Sequence, residues 1–154
     1  MRIRPCRSED AVALSSLFYR SVKHLGVRKY SDEQVEAWAS QTPTPGRMHR
    51  MGHDGRLRLV AIVRQQIVVY CDLEQDGHID HLYAAPEVAG QGYASHLYET
   101  LEAEALQLGI KKLVTEASEV AKPFFERKGF DVQQRRELQL GGVAIHNYAM
   151  TKAL

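Results

Sequence analysis

Gly90 and Gly92 stand either side of one glutamine, just ahead of apolar residues at helical spacing: Ala94, Leu97, Tyr98, Leu101, Ala105 and Leu108. Two glycines let the backbone turn its N–H groups into one hollow, and the helix behind adds the partial positive charge of its N-terminus. Such a hollow binds phosphate or pyrophosphate without needing a cationic side chain. A few residues upstream, His78, Asp80 and His81 offer groups that can accept or hold a proton. Residues 78–84 have the β-branched, aromatic and alternating character of a strand, and Pro86 ends it. Alternation would put His78, Asp80, Leu82 and Ala84 on one face and Ile79, His81 and Tyr83 on the other.

Other phosphate loops fit less well. The chain has no GxxxxGK[ST], and GxGxxG would need a glycine where Ser95 stands. The segment from Pro86 to Gln91 is also too long for the tight turn of that motif. The histidines show no HxxEH spacing, so no metal site is implied. Cys6 and Cys71, the only thiols, lie too far apart to suggest a disulfide framework. A net charge of +1 argues against a nucleic-acid partner held by a broad basic face. No apolar run reaches membrane length and the N-terminus does not read as a signal peptide, so a cytoplasmic location is expected.

At 154 residues, with 44% hydrophobic and 25% charged side chains, the chain suits one soluble domain over 1–154. A short strand over residues 3–6 leads to a helix capped by Ser8, carrying Leu14, Leu17, Phe18 and Val22 and closed by Gly26. A second helix opens at Ser31 with Val35, Ala37 and Trp38, and a short third covers residues 47–53. Residues 57–63 and 67–73 read as a hairpin whose turn lacks the usual Gly or Asn. After the long helix, Gly109 gives way to a strand over 111–116. Ser118 then caps a helix in which Pro123 must fall in the first turn, unless the helix starts later. Residues 130–140 and 143–150 close the chain as two strands around Gly141 and Gly142.

This stretch resembles the acetyl-CoA loop of the GNAT superfamily of N-acetyltransferases. The family pattern is Val-x-Pro, three residues, then Gly-x-Gly-x-Gly/Ala. It stands here as Ala84-Ala85-Pro86, Glu87-Val88-Ala89 and Gly90-Gln91-Gly92-Tyr93-Ala94. A second match, Phe124-Phe125-Glu126-Arg127-Lys128-Gly129-Phe130, is similar to the family's late helix and turn, and the element order β-αα-βββ-α-β-α-ββ is also similar. The resemblance implies a mixed α/β fold with a central, mostly antiparallel sheet flanked by helices on both faces. It implies acetyl transfer from acetyl-CoA to a primary amine, a small molecule or a peptide or protein, by direct attack in a ternary complex. The loop amides of Ala89, Gly90, Gln91, Gly92, Tyr93, Ala94 and Ser95 would bind the pyrophosphate. The pantetheine arm would pair with Leu82, Tyr83 and Ala84, near Ser118 and Phe125. The positions at which the family often carries its base are His78 and Asp80. Asp80 is the preferred base or water-holder, His78 the second choice and His81 the third.

The chain departs from the family at several of these places. Ala89 stands where Gln or Arg is usual, and Gln91 where Lys or Arg is frequent, which should weaken CoA binding by roughly 1–3 kcal/mol. Phe125 replaces a Tyr that many members use to protonate the leaving thiolate, so Tyr30, Tyr70 or Tyr83 would have to substitute. Ser118 replaces a frequent Asn. Arg28, Lys29, Tyr30 and Trp38 fall where the family's acceptor pocket lies, and the exposed closing hairpin offers an edge for a homodimer. Two rival readings stand beside the enzyme: a non-catalytic CoA-sensing or protein-interaction module on the same scaffold, and an unrelated nucleotide-binding domain.

Overall fold

The computed structural model describes residues 1–154. Two four-stranded sheets share one apolar core. The first sheet has the order β1 (Arg2–Pro5), β2 (Leu57–Val63), β3 (Gln66–Leu73) and β5 (Leu82–Ala84), with every pairing antiparallel. The second has the order β4 (His78–Ile79), β6 (Lys112–Ala117), β8 (Val143–Ala153) and β7 (Asp131–Leu140). Within it only β4 and β6 run parallel. Helices α1 (Ala11–Leu25), α2 (Asp32–Ala39), α3 (Pro45–Met51), α4 (Tyr93–Gln107) and α5 (Lys122–Arg127) flank the sheets. None of them is long and apolar enough to cross a membrane. The architecture is therefore the mixed α/β, mostly antiparallel arrangement that the sequence suggests.

Local chemistry explains the element ends. Ser31 caps α2 by accepting from the Gln34 N–H, while the Gln34 side chain reaches back to the Ser31 N–H. Helices α1 and α4 pack on the first sheet. Their Leu14, Leu17, Leu97 and Leu101 belong to one buried core together with Val69 and Cys71 of β3. Burial of each such leucine is worth roughly 1.5–3 kcal/mol. The β2–β3 turn is made by Arg64 and Gln65, both left-handed at φ 48° and 66°, so the hairpin forms without the glycine that such a turn favours.

Two expectations are corrected. Ser8 does not cap α1; Ser8–Asp10 is a turn of 3-10 helix, and the Asp10 carboxylate accepts from the Arg7 N–H at 2.7 Å. Gly26 does close α1 after Leu25, though it stays right-handed and opens another 3-10 turn, packed against Val35 and Trp38. The second correction governs the site. The single alternating strand expected over 78–84 is two short strands in different sheets, and Asp80 and His81 form the break between them.

The break is bridged by one side chain from β3. Asp72 is fully buried, and its Oδ1 accepts from the backbone N–H of Asp80 at 3.1 Å and of His81 at 2.8 Å. Its Oδ2 takes the His81 Nδ1 at 2.7 Å, Arg56 Nη1 at 3.0 Å and Arg58 Nη2 at 3.4 Å. A carboxylate thus replaces ladder bonds that a regular strand would make to the carbonyls of its neighbours. Removing it leaves the buried Arg58 guanidinium with no carboxylate, takes one partner from the nearly buried Arg56, and frees the N–H groups of Asp80 and His81. Asp72→Ala is therefore expected to cost about 3–5 kcal/mol of stability, read as a lower urea midpoint. A loss below about 1 kcal/mol would mean that the network does not hold the break.

Candidate active site

The glycine loop is set by a turn of 3-10 helix over Pro86–Val88. The Ala89 N–H donates to the Pro86 carbonyl at 3.2 Å and the Gln91 N–H to the Val88 carbonyl at 3.1 Å. Gln91 also sends its side-chain amide to the Glu87 carbonyl at 2.9 Å. Ala89 and Gln91 thus brace the loop with the groups expected to bind ligand. Gly90 and Gly92 sit at φ 78° and 84°, a conformation that costs an L-residue roughly 1–2 kcal/mol. A Cβ at either position would meet no protein atom within 4 Å, so both glycines open onto free space. The N–H groups of Gly90, Gly92, Tyr93, Ala94 and Ser95 have no acceptor in the protein, and the first helical bond comes from His96 to Gly92 at 3.1 Å. Five free donors thus lie on the loop and first turn at the positive end of a helix of 15 residues.

A second set of free backbone groups lies on β5. Asp72 N–H donates to the His81 carbonyl, Ala85 N–H to the Val68 carbonyl, and Tyr83 is paired with Tyr70. In an antiparallel ladder of this register, Leu82 and Ala84 turn their N–H and C=O away from β3. On that side β6 has already diverged, because its pairing with β4 ends at Ile79 and Thr115. The splayed strands open into a cleft of 510 Å³, which Leu82, Tyr83, Ala84, Gly90 and Ala94 line together with Asp80.

Asp80 is partly exposed in this cleft. Its Oδ2 is held by Arg56 Nη1 at 3.0 Å. His78 is not free to accept a proton: Nε2 lies 2.6 Å from Glu116 Oε2 and Nδ1 lies 3.0 Å from Glu74 Oε1. The Glu116 hydrogen bond, with Glu74 adding to it against the cost of burial, pushes the imidazole up to about 9, so it is a cation at neutral pH. His81 turns into the core, its ring 6.0 Å from Phe18 and 5.8 Å from Tyr70. Asp72, Asp80 and His81 bring ligand atoms within 4.8 Å of one another, but Arg56 and Arg58 already answer that charge.

Ser118 lines the cleft, and its Oγ accepts from the Ala121 N–H at 3.1 Å, so α5 starts beyond it with Pro123 in its first turn. Phe125 forms part of the wall, buried against Phe130 at 5.0 Å and Phe124 at 5.4 Å. Among the tyrosines, Tyr70 is enclosed in the core with its hydroxyl unpartnered. Tyr30 donates to the His146 carbonyl at 2.8 Å and accepts from the Glu119 N–H at 2.7 Å. Tyr83 reaches the cleft, and burial raises its hydroxyl well above the usual tyrosine range. Trp38 and Arg28 also line the cavity, whereas Lys29 does not.

Sequence reasoning missed Asp72, Arg56, Glu116, Glu119 and His146. Asp72 had a signal, a lone acid in the apolar run Ile67-Val68-Val69-Tyr70-Cys71-Asp72-Leu73. Arg56 comes to the site from the start of β2 and Glu116 from β6, while Glu119 meets His146 only through the closing strand β8. The Glu74–His78–Glu116 arrangement has a measurable consequence. An imidazole raised to about 9 stabilises the fold fully below the unfolded value of about 6.5, and that stability is lost as pH rises through 9. After solvent screening the effect should be about 1 kcal/mol. Urea midpoints from pH 6 to 10 should fall in the wild type and stay flatter in His78→Gln; equal slopes would contradict the ion pairs.

Residues 27–152 match the family model described as Acetyltransferase (GNAT) domain. The chain is 28% identical over 150 residues to the uncharacterized N-acetyltransferase YafP of Escherichia coli (strain K12), spanning 97% of this chain and 94% of that protein. A GCN5-related N-acetyltransferase structure from Rhodopseudomonas palustris superposes with a TM-score of 0.92 at 33% identity, over 99% of this chain and 95% of its own. PaiA N-acetyltransferase from Thermoplasma acidophilum, solved in complex with coenzyme A, has the same fold at a TM-score of 0.82 and 20% identity, covering 99% and 98% of the two chains. The family match spans most of the sequence and the superposition runs over nearly the whole of it, so the chain belongs to the GNAT acetyltransferase family.

Proposed function

We propose that the protein transfers an acetyl group from acetyl-CoA to a primary amine by direct attack within a ternary complex. One observation carries the reading: two arrays of unpaired backbone groups, on the loop before α4 and on the free edge of β5, meet in one cleft beside Asp80. The five loop amides suit a pyrophosphate, and the Leu82 and Ala84 edge suits the amides of a pantetheine arm. An N–H on that edge would also stabilise negative charge developing on the thioester oxygen. Ser118 and Phe125 would bound the arm, with Phe125 contributing only packing. Coenzyme A in the Thermoplasma structure supports the same ligand class here.

An amine at neutral pH is mostly protonated, so one proton must leave before the nitrogen can attack. Asp80, fixed by Arg56 at the cleft, would hold the ammonium and take that proton directly or through one water. Holding both reactants in contact supplies several kcal/mol of the barrier reduction. Phe125, which has no hydroxyl, favours the second reading, a CoA sensor that performs no transfer.

Acetyl-CoA should raise the unfolding midpoint, and NAD or ATP should not. Released thiol with a panel of primary amines then separates enzyme from sensor. Asp80→Asn is expected to lower kcat about 10²-fold while leaving the acetyl-CoA shift in place. A midpoint shift with no thiol release from any amine would leave the sensor reading. No shift at millimolar acetyl-CoA would overturn the site.

A further inference from the structure

Two protons leave a primary ammonium on acetylation, one before attack and one from the nitrogen after it has bonded to carbon, while the departing sulfur needs one. Asp80 accounts for the first. The second has no carrier in the late helix, because Phe125 is buried and lacks a hydroxyl. We infer that His146, held by Glu119, moves this second proton from the acceptor nitrogen to the sulfur; the inference rests on the transferase reading above.

His146 stands on β8 and lines the same cleft as Asp80 and Tyr83. Its side chain is 17% exposed, so it is walled in without being sealed off. Nε2 lies 2.6 Å from Glu119 Oε2, and no protein group bonds Nδ1. A carboxylate on one ring nitrogen fixes the tautomer and leaves the other as the acceptor. His78 shows the contrast, since both of its nitrogens are taken by carboxylates.

The pair is also built to stay in register. The Tyr30 hydroxyl donates to the His146 carbonyl at 2.8 Å and accepts from the Glu119 N–H at 2.7 Å, so one group pins both the strand and the loop. The His146 ring is flanked by Tyr30 at 5.5 Å and Tyr148 at 5.7 Å. Across the ladder it faces Glu137, with Arg135 opposite Tyr148. Glu119, Tyr148, Tyr30, Glu137 and Arg135 are therefore the titratable and charged groups that face it.

The step balances. The amine nitrogen bonds to the thioester carbon, and its remaining extra proton passes to His146 Nδ1 while Glu119 balances the imidazolium charge. The carbon–sulfur bond then breaks, the electron pair leaves with sulfur, and Nδ1 returns the proton to it. The products are the amide and the free CoA thiol, with His146 neutral again.

The test is steady-state kinetics across pH on the wild type, His146→Gln and Glu119→Gln, with the acetyl-CoA melting shift as the folding and binding control. His146→Gln should lower kcat about 10²-fold, retain the melting shift, and flatten the acidic limb of the kcat profile. Glu119→Gln should lower kcat about tenfold and move that limb. A His146→Gln enzyme within about threefold of the wild type, with the limb intact, would overturn the inference while leaving the transferase reading standing. Wild-type protein that binds acetyl-CoA yet releases no thiol would overturn the transferase reading itself. Imidazole ¹⁵N NMR supplies a readout that needs no turnover: neutral His146 should carry its proton on Nε2, and a proton on Nδ1 would contradict the inference.

Discussion

The Asp72 carboxylate is the constraint on which the cleft depends. A regular strand over residues 78–84 would stay in one ladder and leave no space between β5 and β6. The break at Asp80 and His81 lets the two halves join different sheets, and Asp72 satisfies both N–H groups that the break exposes. Burying that carboxylate is tolerable because a histidine and two arginines answer it. The His81 hydrogen bond and the arginine charges outweigh the cost of burial and hold its pKa down near 2, so it remains ionised across the range in which the fold operates. Its contribution to stability is present above the unfolded value of about 3.9 and is lost only as pH falls through 2.

The same break decides where recognition groups can lie. By leaving the β5 edge unpaired, it sets Leu82 and Ala84 beside the orphan donors at the start of α4. Recognition by backbone amides would make few demands on side chains, which fits Ala89 and Gln91 at positions where the family resemblance leads one to expect longer polar or basic residues. Both residues still contribute by closing the loop on itself. On the opposite wall the polar chemistry belongs to side chains: Asp80 tied to Arg56, Glu116 tied to His78, and Glu119 tied to His146. A cleft with backbone donors on one side and paired ionisable groups on the other suits a phosphate-bearing acyl donor meeting a basic acceptor.

Much of this was legible in the sequence, and the limits have physical causes. The glycine loop and α4 were readable because turn geometry and helical periodicity are local. Strand β2 falls where the apolar run predicts it, and the α5 start beyond Ser118 follows from Pro123. The split strand was hidden because the pattern from His78 to Ala84 alternates like one strand, while its interruption is imposed by a side chain from β3. His78 looked like a free base because nothing local reveals that Glu116, from β6, completes its capture. The pairing of Glu119 with His146 joins a loop to a closing strand and leaves no local trace.

Amide hydrogen exchange on the free and acetyl-CoA-bound protein tests the central claim most directly, that backbone groups exposed by the strand break form the donor site. The amides of Leu82 and Ala84, together with those of Gly92 to Ser95, should exchange fast in the free protein and slow at least about tenfold with saturating acetyl-CoA. Tyr83, bonded within its ladder, should change less. Leu82 and Ala84 amides already protected without ligand, or unchanged when it saturates, would contradict the account.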